Sequence, residues 1–311
     1  MSIREGLLLD GLPLVRLENR WLQVDVAPGV GGRVVSLIDK ATHHQFLWRN
    51  ARLRLERLPA DSPYDPNFYG GIDELLPNDI PETINGIPCP DHGELWTLAL
   101  DHRVEGATLV LSGTLPRFGL AYERRMTLRP DGPYLDLDYR LHNPTGARRE
   151  FLWKLHAALA IAPGDEIICP ARKARVVDLE WSRWHTLEPF PWPTVEGQRA
   201  DRIPAPDGTV DFLYLYELQD GRMGWVRRAH DLAFTYTFDT RVFPYAWYFA
   251  SYGGFDGHYV AILEPCASMP LSVNEAAALG QCAVLAPGET LETRVTIFAG
   301  KATEEAYGQR A

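Results

Sequence analysis

Apolar and polar side chains alternate along most of this chain. In YLDLDYRL (residues 134–141), apolar residues alternate with charged ones from Leu135 onward. The same alternation runs through LQVDV (22–26), ATLVLSG (107–113), AFTYTF (233–238) and LETRVTIF (291–298). A period of two residues is typical of a β-strand that buries one face and exposes the other. The pattern therefore predicts many strands, each with one face on a core.

Helical periodicity is almost absent. The best helical candidate, SVNEAAALGQ (272–281), is short, and the chain contains 26 glycines and 24 prolines. Short strands separated by many turns predict an all-β protein of antiparallel sheets packed face to face. Because no break in composition is visible, residues 1–311 are predicted to form a single domain. Two stretches, 59–90 and 186–208, are predicted to be long functional loops.

Charge and composition narrow the function classes. The 311 residues carry a formal net charge of −10, which argues against a nucleic-acid partner. No apolar run approaches the ~20 residues of a membrane helix, and the first residues do not resemble a signal peptide. We therefore expect a cytoplasmic protein without a membrane partner, as a monomer or homodimer. Cysteines 89, 169, 266 and 282 form no CxxC pair, which predicts reduced structural thiols.

Ionisable residues interrupt two apolar runs. His156 lies in EFLWKLHAALAI (150–161), and Glu264 lies in HYVAILEPCASMP (258–270), where the next proline is expected to end a buried strand. A buried carboxylate must be paired, hydrogen-bonded or placed in a cleft. Glu264 is therefore a candidate acid or base, with a buried salt bridge as the alternative. His156 is either a satisfied core residue or a side chain delivered into a pocket.

Other ionisable residues are candidates of lower weight. CPDHGELW (89–96) contains His92 and Glu94 and is either a polar loop or the rim of a site. Together with His156, these two residues could ligate a metal. No HxH or HExxH motif supports such a site, so no metal is expected. The sequence also lacks GxSxG, GxxxxGK[ST] and a helix-opening GxGxxG. The remaining candidates are Asp73 and Glu74 in GGIDELLP (70–77), and Asp211 in TVDFLYLY (209–216).

Taken in order, several segments resemble those of the galactose mutarotase (aldose 1-epimerase) superfamily. They are DVAPGVGGRVVSLIDKATHHQFLW (25–48), DHGELW (91–96), HNPTGARREFLWKLHAALAI (142–161), TVDFLYL (209–215), PYAWYFASYGG (244–254), VAILEPCASMP (260–270) and VLAPGETLETRVTIF (284–298). Their shared order covers nearly the whole chain. YGGIDELLPNDIPE (69–82) stands where galactose-type members carry an Asn-rich, Arg-bearing segment. The resemblance is therefore to a divergent branch.

The resemblance implies a β-supersandwich and an enzyme that interconverts the α and β anomers of a small-molecule sugar. It implies that His156 is the catalytic histidine, Glu264 the catalytic glutamate and Asp211 a substrate-binding residue. His92 would bind a sugar hydroxyl or the ring oxygen, and Trp247 would stack on the apolar face of a pyranose. Further candidate binding residues are Glu94, Asp73 and Glu74.

Anomer exchange requires two proton transfers and no cofactor. The ring oxygen gains a proton while the C1 hydroxyl loses one, the ring opens, and it closes on the other face. A histidine, with an ordinary pKa of ~6.5, suits the acid, and a partly desolvated glutamate suits the base. Two alternatives stay open. One is a catalytically silent sugar-binding or regulatory domain, and the other is a carbohydrate lyase or hydrolase using Glu94 and Glu264.

Overall fold

The computed structural model describes residues 1–303 and consists mainly of β-strands. In chain order the strands of the first half are β1 (Ser2–Leu9), β2 (Leu12–Glu18), β3 (Leu22–Ala27), β4 (Arg33–Asp39), β5 (His44–Gln45), β6 (Ile72–Leu75), β7 (Glu82–Ile84), β8 (Ile87–Cys89), β9 (Asp101–Glu105), β10 (Thr108–Thr114), β11 (Ala121–Leu128), β12 (Tyr134–His142), β13 (Arg149–Phe151) and β14 (Lys154–Leu159). They are followed by β15 (Glu166–Ile168), β16 (Ala171–Val176), β17 (Phe190–Pro191), β18 (Thr194–Val195), β19 (Gln198–Arg199), β20 (Val210–Leu218), β21 (Arg222–Arg227), β22 (Leu232–Thr237), β23 (Tyr245–Tyr252), β24 (Tyr259–Cys266), β25 (Ala283–Leu285) and β26 (Thr290–Lys301). One α-helix, α1 (Val273–Leu279), precedes β25.

Two large sheets contain most of these strands. The larger has twelve strands in the order β1-β2-β3-β4-β6-β14-β24-β23-β20-β16-β17, with β5 paired to β4. The smaller has eight strands in the order β15-β21-β22-β26-β12-β11-β10-β9. Three two-stranded sheets, β13-β25, β18-β19 and β7-β8, complete the described strands. The arrangement is the predicted all-β sandwich of large antiparallel sheets.

Both large sheets contribute their inner faces to one apolar core. Leu37 and Leu263 of the larger sheet and Leu137 and Val295 of the smaller sheet belong to the same cluster of buried side chains. In each of these strands, the side chains next to the named residue point to the opposite face of the sheet, as a period of two requires. The five alternating segments of the sequence form β3, β10, β12, β22 and β26, which confirms those predictions.

The predicted helix is also confirmed. Ser272 precedes α1 and its hydroxyl accepts the Glu275 N–H, while Gly280 follows in the left-handed conformation at φ 67°. These two residues satisfy groups that the helix ends would otherwise leave unpaired. None of the helices in residues 1–303 has the length and apolar character needed to cross a bilayer. The predicted single domain includes residues 304–311, which lie outside the described residues.

Several local predictions were wrong. Residues 186–208 are not one long loop, because they contain the short strands β17, β18 and β19. Residues 59–90 are not one long loop, because they contain β6, which lies between β4 and β14 within the larger sheet. This strand has only four residues, and its two adjacent acids, Asp73 and Glu74, hide the alternation. The run 150–161 is not one strand either. It divides into β13 and β14, which belong to different sheets. Glu264 lies inside β24, which continues past Pro265 to Cys266.

Candidate active site

A cleft of about 260 Å³ opens on the larger sheet, on the face directed away from the smaller sheet. Its floor comes from β14, β24, β23 and β20, which are neighbours in the sheet. Because side chains alternate between faces, Lys154 and His156 project into the cleft from β14, while Leu155 between them joins the core. Glu264 and Ile262 project in the same way from β24.

Strand register places His156 and Glu264 side by side. In the pairing of β14 with β24, Lys154 lies opposite Cys266 and Ala157 lies opposite Leu263, so His156 faces Glu264. Residues opposite each other in an antiparallel pair share a face, with Cβ atoms about 4.5–5.5 Å apart. Both side chains are almost completely buried, with exposures of 4% for His156 and 1% for Glu264. The structure therefore brings together the two residues predicted to be catalytic.

Asp73 lies directly behind His156. It is the β6 neighbour of His156, and its Oδ1 is 2.9 Å from Nδ1 of the imidazole. Burial by itself would raise the pKa of Asp73, but the charges of Arg33 and His156 outweigh it and lower this pKa to about 2. An ionised carboxylate only accepts hydrogen bonds, so Nδ1 of His156 carries its hydrogen toward Asp73. Nε2 is then the nitrogen available to a ligand.

Tyr64 fixes this pair from the side. Its hydroxyl donates to Oδ2 of Asp73 at 2.9 Å, and Arg33 Nη2 lies 2.7 Å from the same oxygen. Burial raises the pKa of Tyr64 well above its usual value, so the hydroxyl stays a donor. Sequence reasoning missed Tyr64. The only signal was the aromatic content of residues 59–90, which is unusual for a disordered loop.

Lys154 is the second residue that sequence reasoning missed. Its Nζ lies 2.7 Å from Oε2 of Glu264 and 2.7 Å from Oδ1 of Asp79. It also stands 4.4 Å from the centre of the Trp247 ring. Burial disfavours the charged ammonium, but Asp79 and Glu264 outweigh burial and raise the pKa of Lys154 above its usual value. A buried ammonium therefore bridges two buried carboxylates at the floor of the cleft.

The bridge leaves the Glu264 carboxylate in a defined orientation. Oε2 is close to Lys154, but the contact falls outside the geometry of an aligned hydrogen bond. It is therefore an ion pair that fixes the position of Oε2 and leaves this oxygen able to accept a hydrogen bond. Asp79 is held more firmly, since Lys154 donates an aligned hydrogen bond to it. Burial alone would raise the pKa of Asp79. The charges of Lys154 and His92 outweigh burial, so the pKa of Asp79 lies below its usual range.

His92 lines the cleft beside Tyr64 and Asp79. Its ring stacks on Tyr64 with a centroid separation of 4.0 Å and an interplanar angle of 1°. Nδ1 is 2.8 Å from Oδ1 of Asp91, and Nε2 is 4.0 Å from Oδ1 of Asp79. Burial lowers the pKa of His92, but Asp79 and the hydrogen bond to Asp91 outweigh it, so the pKa is raised. The adjacent Gly93, at φ 77°, packs on the Leu76 backbone, because a Cβ there would lie 2.3 Å from its carbonyl oxygen.

Aromatic side chains form the outer wall of the cleft. Phe212, Phe249 and Phe255 are half-buried, and Trp181 is exposed beside them. Trp181 lies in a single 3₁₀ turn, residues 179–181, which begins at Asp178. Neither this turn nor its tryptophan was among the predicted site residues. Aromatic walls combined with a few convergent polar groups are typical of small-molecule sites.

Five of the six predicted binding residues lie outside the cleft lining, and one of them is Asp73, which supports His156 from behind. Asp211 projects from the other face of β20 and binds Arg183 and Tyr252. Trp247 is fully buried beneath Lys154, and its Nε1 donates to the Ser268 carbonyl. The other two are Glu94 and Glu74.

Both remaining carboxylates have structural partners. Glu94 accepts the backbone N–H groups of Arg117 and Phe118, at 2.9 and 3.0 Å. Glu74 projects between the two sheets, because it follows Asp73 in the same strand. There it pairs with Arg124 at 2.6 Å and accepts hydrogen bonds from the side chains of Tyr122, Tyr139 and Trp153. Glu94 is therefore not positioned to act opposite Glu264, or as a metal ligand with the two histidines.

Comparisons with known proteins agree with this architecture. A family model described as "Domain of unknown function (DUF5107)" matches residues 11–197. Among solved structures, Slr1438 from Synechocystis sp. PCC 6803 is 17% identical, with a TM-score of 0.73 over 97% of this chain and 100% of that chain. A galactose mutarotase-like protein from Clostridium acetobutylicum is 14% identical, with a TM-score of 0.73 over 97% and 99%. Another from Lactobacillus casei ATCC 334 is 15% identical, with a TM-score of 0.67 over 92% and 99%.

Proposed function

The chain belongs to the DUF5107 family and has the galactose mutarotase-like fold, and on this basis we propose that it interconverts the α and β anomers of a sugar. The observation that carries the proposal is the cross-strand pair of His156 and Glu264 in the floor of the cleft. The hydroxyl and ring oxygens of a cyclic sugar are both bonded to C1. Two neighbouring side chains can therefore reach both oxygens at once, one as acid and one as base.

The proposed exchange requires His156 as an imidazolium and Glu264 as a carboxylate. Asp73 supports the first, since it accepts from Nδ1 and stabilises positive charge on the ring. Lys154 supports the second through its ion pair. Because the pKa of Asp73 is about 2, this residue stays ionised and orients the imidazole without taking up its proton.

Ring opening follows from these protonation states. Nε2 of His156 donates its proton to the ring oxygen, and Glu264 accepts the proton of the C1 hydroxyl. The C1–O bond of the ring breaks, and C1 becomes a carbonyl carbon. After rotation about the C1–C2 bond, the two transfers run in reverse: Glu264 protonates the carbonyl oxygen, and His156 takes the proton from the attacking hydroxyl. No proton is gained or lost overall, and each group contributes on the order of 10²–10⁴-fold.

The other cleft residues would bind the substrate. His92 lines the cleft beside Tyr64, and its Nε2 can form a hydrogen bond with a sugar hydroxyl. Phe68, which lies beside His156, and Ile262 offer apolar surface for the C–H groups of a sugar ring. The hydrolase alternative gains no support from Glu94, whose two oxygens bind backbone N–H groups away from Glu264.

Exchange between anomers at equilibrium tests the proposal. Two-dimensional exchange NMR is recorded on glucose, galactose, mannose and xylose, with and without enzyme. We expect one or more of these sugars to exchange faster with the wild type, and Glu264→Gln and His156→Asn to reduce that increment by about 10²-fold or more. Leu187→Ala, an exposed change away from the cleft, serves as the control. If Glu264→Gln retains more than a tenth of the wild-type increase in exchange rate, Glu264 is not the base.

A further inference from the structure

Burial is graded along the cleft and defines an inner and an outer part. Lys154, His156 and Glu264 are each at most 4% exposed and form the inner part. Trp181 is 37% exposed, and Asp178, which begins its turn, is also exposed. The reacting groups of the proposed mechanism therefore lie at the closed end, and the tryptophan lies at the mouth.

Four aromatic rings connect the inner part to the mouth. Phe212 and Phe249 meet edge to face at 5.6 Å, and Phe249 meets Phe255 in the same way at 5.7 Å. Trp181 lies 5.7 Å from Phe255 and 6.3 Å from Phe249. We call these four residues the aromatic strip. The rings are only partly buried, and an exposed apolar surface beside a polar pocket is typical of a ligand site.

The strip extends the cleft beyond the size of one sugar ring. His156 is on β14 and Phe212 is on β20, with β24 and β23 between them. Three spacings between neighbouring strands amount to about 14 Å, and Trp181 lies above the strands at the far end. A pyranose bound with C1 at His156 and Glu264 would cover the inner part and leave the outer rings uncovered.

The charges around the cleft indicate what covers those rings. Asp65 and Asp178 stand at the mouth, and Asp79 stands at the floor. Lys154 is the only lysine or arginine among the described residues that line the cleft, and it is already shared between Asp79 and Glu264. The two histidines of the lining are each hydrogen-bonded to a carboxylate, His156 to Asp73 and His92 to Asp91. An anionic ligand that enters the mouth would meet the exposed carboxylates of Asp65 and Asp178. The chemistry suits an uncharged ligand whose C–H faces stack on aromatic rings and whose hydroxyls donate to carboxylates.

We propose that the aromatic strip is an outer subsite for a second uncharged sugar ring, so that the substrate is the reducing end of a disaccharide or longer saccharide. The inference rests on the proposed function, which places the reducing C1 at the inner end. The second ring is attached through an oxygen other than that on C1, because C1 must keep a free hydroxyl for ring opening. Trp181 and Phe255 hold this ring by stacking, and Asp178 accepts from its hydroxyls.

Binding is measured separately from exchange so that the two ideas fail independently. Glu264→Gln is titrated by calorimetry with glucose and galactose, and with cellobiose, maltose, gentiobiose and lactose. We expect at least one disaccharide to bind about tenfold or more tightly than its reducing-end monosaccharide, the gain of one stacked ring. Adding Trp181→Ala should remove this preference, and Trp181→Phe should retain part of it. Leu187→Ala, an exposed apolar change outside the cleft, should retain it fully.

Each outcome addresses one idea. Equal affinity for every disaccharide and its monosaccharide, or a preference that survives Trp181→Ala, would overturn the outer subsite. Tighter binding of glucose 6-phosphate or glucuronic acid than of glucose would overturn the assignment of an uncharged substrate. If a disaccharide shows the Trp181-dependent preference but no sugar exchanges with the wild type, the outer subsite stands and anomer exchange is excluded.

Discussion

Lys154→Met should separate the electrostatic role of the buried lysine from its bulk. Methionine has a similar length and no charge, so the change leaves Asp79 and Glu264 facing each other without the ammonium between them. Each Nζ–O distance is 2.7 Å, which corresponds to an attraction of about 6 kcal/mol per pair at an effective dielectric constant of about 20. Much of this is offset by desolvation, and removal of one partner of a buried pair typically costs about 3–5 kcal/mol.

The loss should depend on pH. In the wild type the pKa of Asp79 is lowered, with Lys154 outweighing burial, so this residue stabilises the fold above its unfolded value of ~3.9 and loses that contribution as pH falls. Without Lys154, the effect of burial on Asp79 is no longer outweighed. Protonation of one carboxylate then removes the repulsion between Asp79 and Glu264. The difference in unfolding free energy between wild type and variant should therefore be larger at pH 7 than at pH 4.5.

Two measurements check this reasoning. Urea unfolding at both pH values gives the free-energy difference, and kcat/KM for anomer exchange against pH gives the acid limb of the rate. We expect the limb to move to higher pH in Lys154→Met, because the carboxylate pair takes up a proton more readily. Lys173→Met is the matched control, since Lys173 forms a half-exposed ion pair with Glu217, and it should change little in either assay. A free-energy loss below 1 kcal/mol at pH 7, or an acid limb that does not move, would refute the proposed role of Lys154.

Two further predictions address other buried charges. The pKa of His92 is raised because Asp79 and Asp91 outweigh burial, so its NMR titration should have a midpoint above the usual ~6.5, and Asp91→Asn should lower that midpoint. A histidine whose pKa is raised on folding stabilises the fold at pH values below its unfolded pKa, and this stabilisation disappears as pH rises. Asp91→Asn should therefore lower the unfolding free energy more at pH 5.5 than at pH 9. An equal loss of unfolding free energy at both pH values would count against the assignment. Glu74→Gln should lower the unfolding free energy by about 3–5 kcal/mol, since it leaves Arg124 buried without a carboxylate. Glu292→Gln, whose ion pair with Arg140 is exposed, should have no measurable effect, and similar results for the two variants would contradict a structural role of the Glu74 network.

The sequence was most informative where period two was regular. Four strands of the smaller sheet, β10, β12, β22 and β26, were visible because their side chains alternate regularly between two faces. β6 was not visible, since four residues containing Asp73 and Glu74 do not show a period. This strand is nevertheless the one that places Asp73 behind His156. Pairing partners come from strand order, which depends on contacts across the whole chain and not on a local pattern.

Residue type predicted part of the site, but the sequence did not show which face of each strand has the cleft. His156 and Glu264 stood out because charges in apolar runs need partners, and the structure places both in the cleft. The family resemblance made Asp211 a candidate binding residue, yet its neighbour Phe212 faces the cleft instead. Alternation shows that adjacent residues face opposite ways, but it does not show which face has the cleft. Lys154 could not be predicted as a site residue, because its two carboxylate partners, Asp79 and Glu264, are distant from it in sequence.

The pairing of β6, β14 and β24 has a consequence for synthesis of the chain. Asp73, His156 and Glu264 lie on three adjacent strands, but 83 and 108 residues separate them in sequence. Contacts of such long range slow folding, because closing long loops is entropically costly. A nascent chain that has released residue 156 from the ribosome already contains Asp73 and His156, while Glu264 and the strand that flanks β14 on its other side have not yet been made. The chemistry proposed for this cleft therefore requires nearly the whole chain, and an amino-terminal fragment would have an acid without its base.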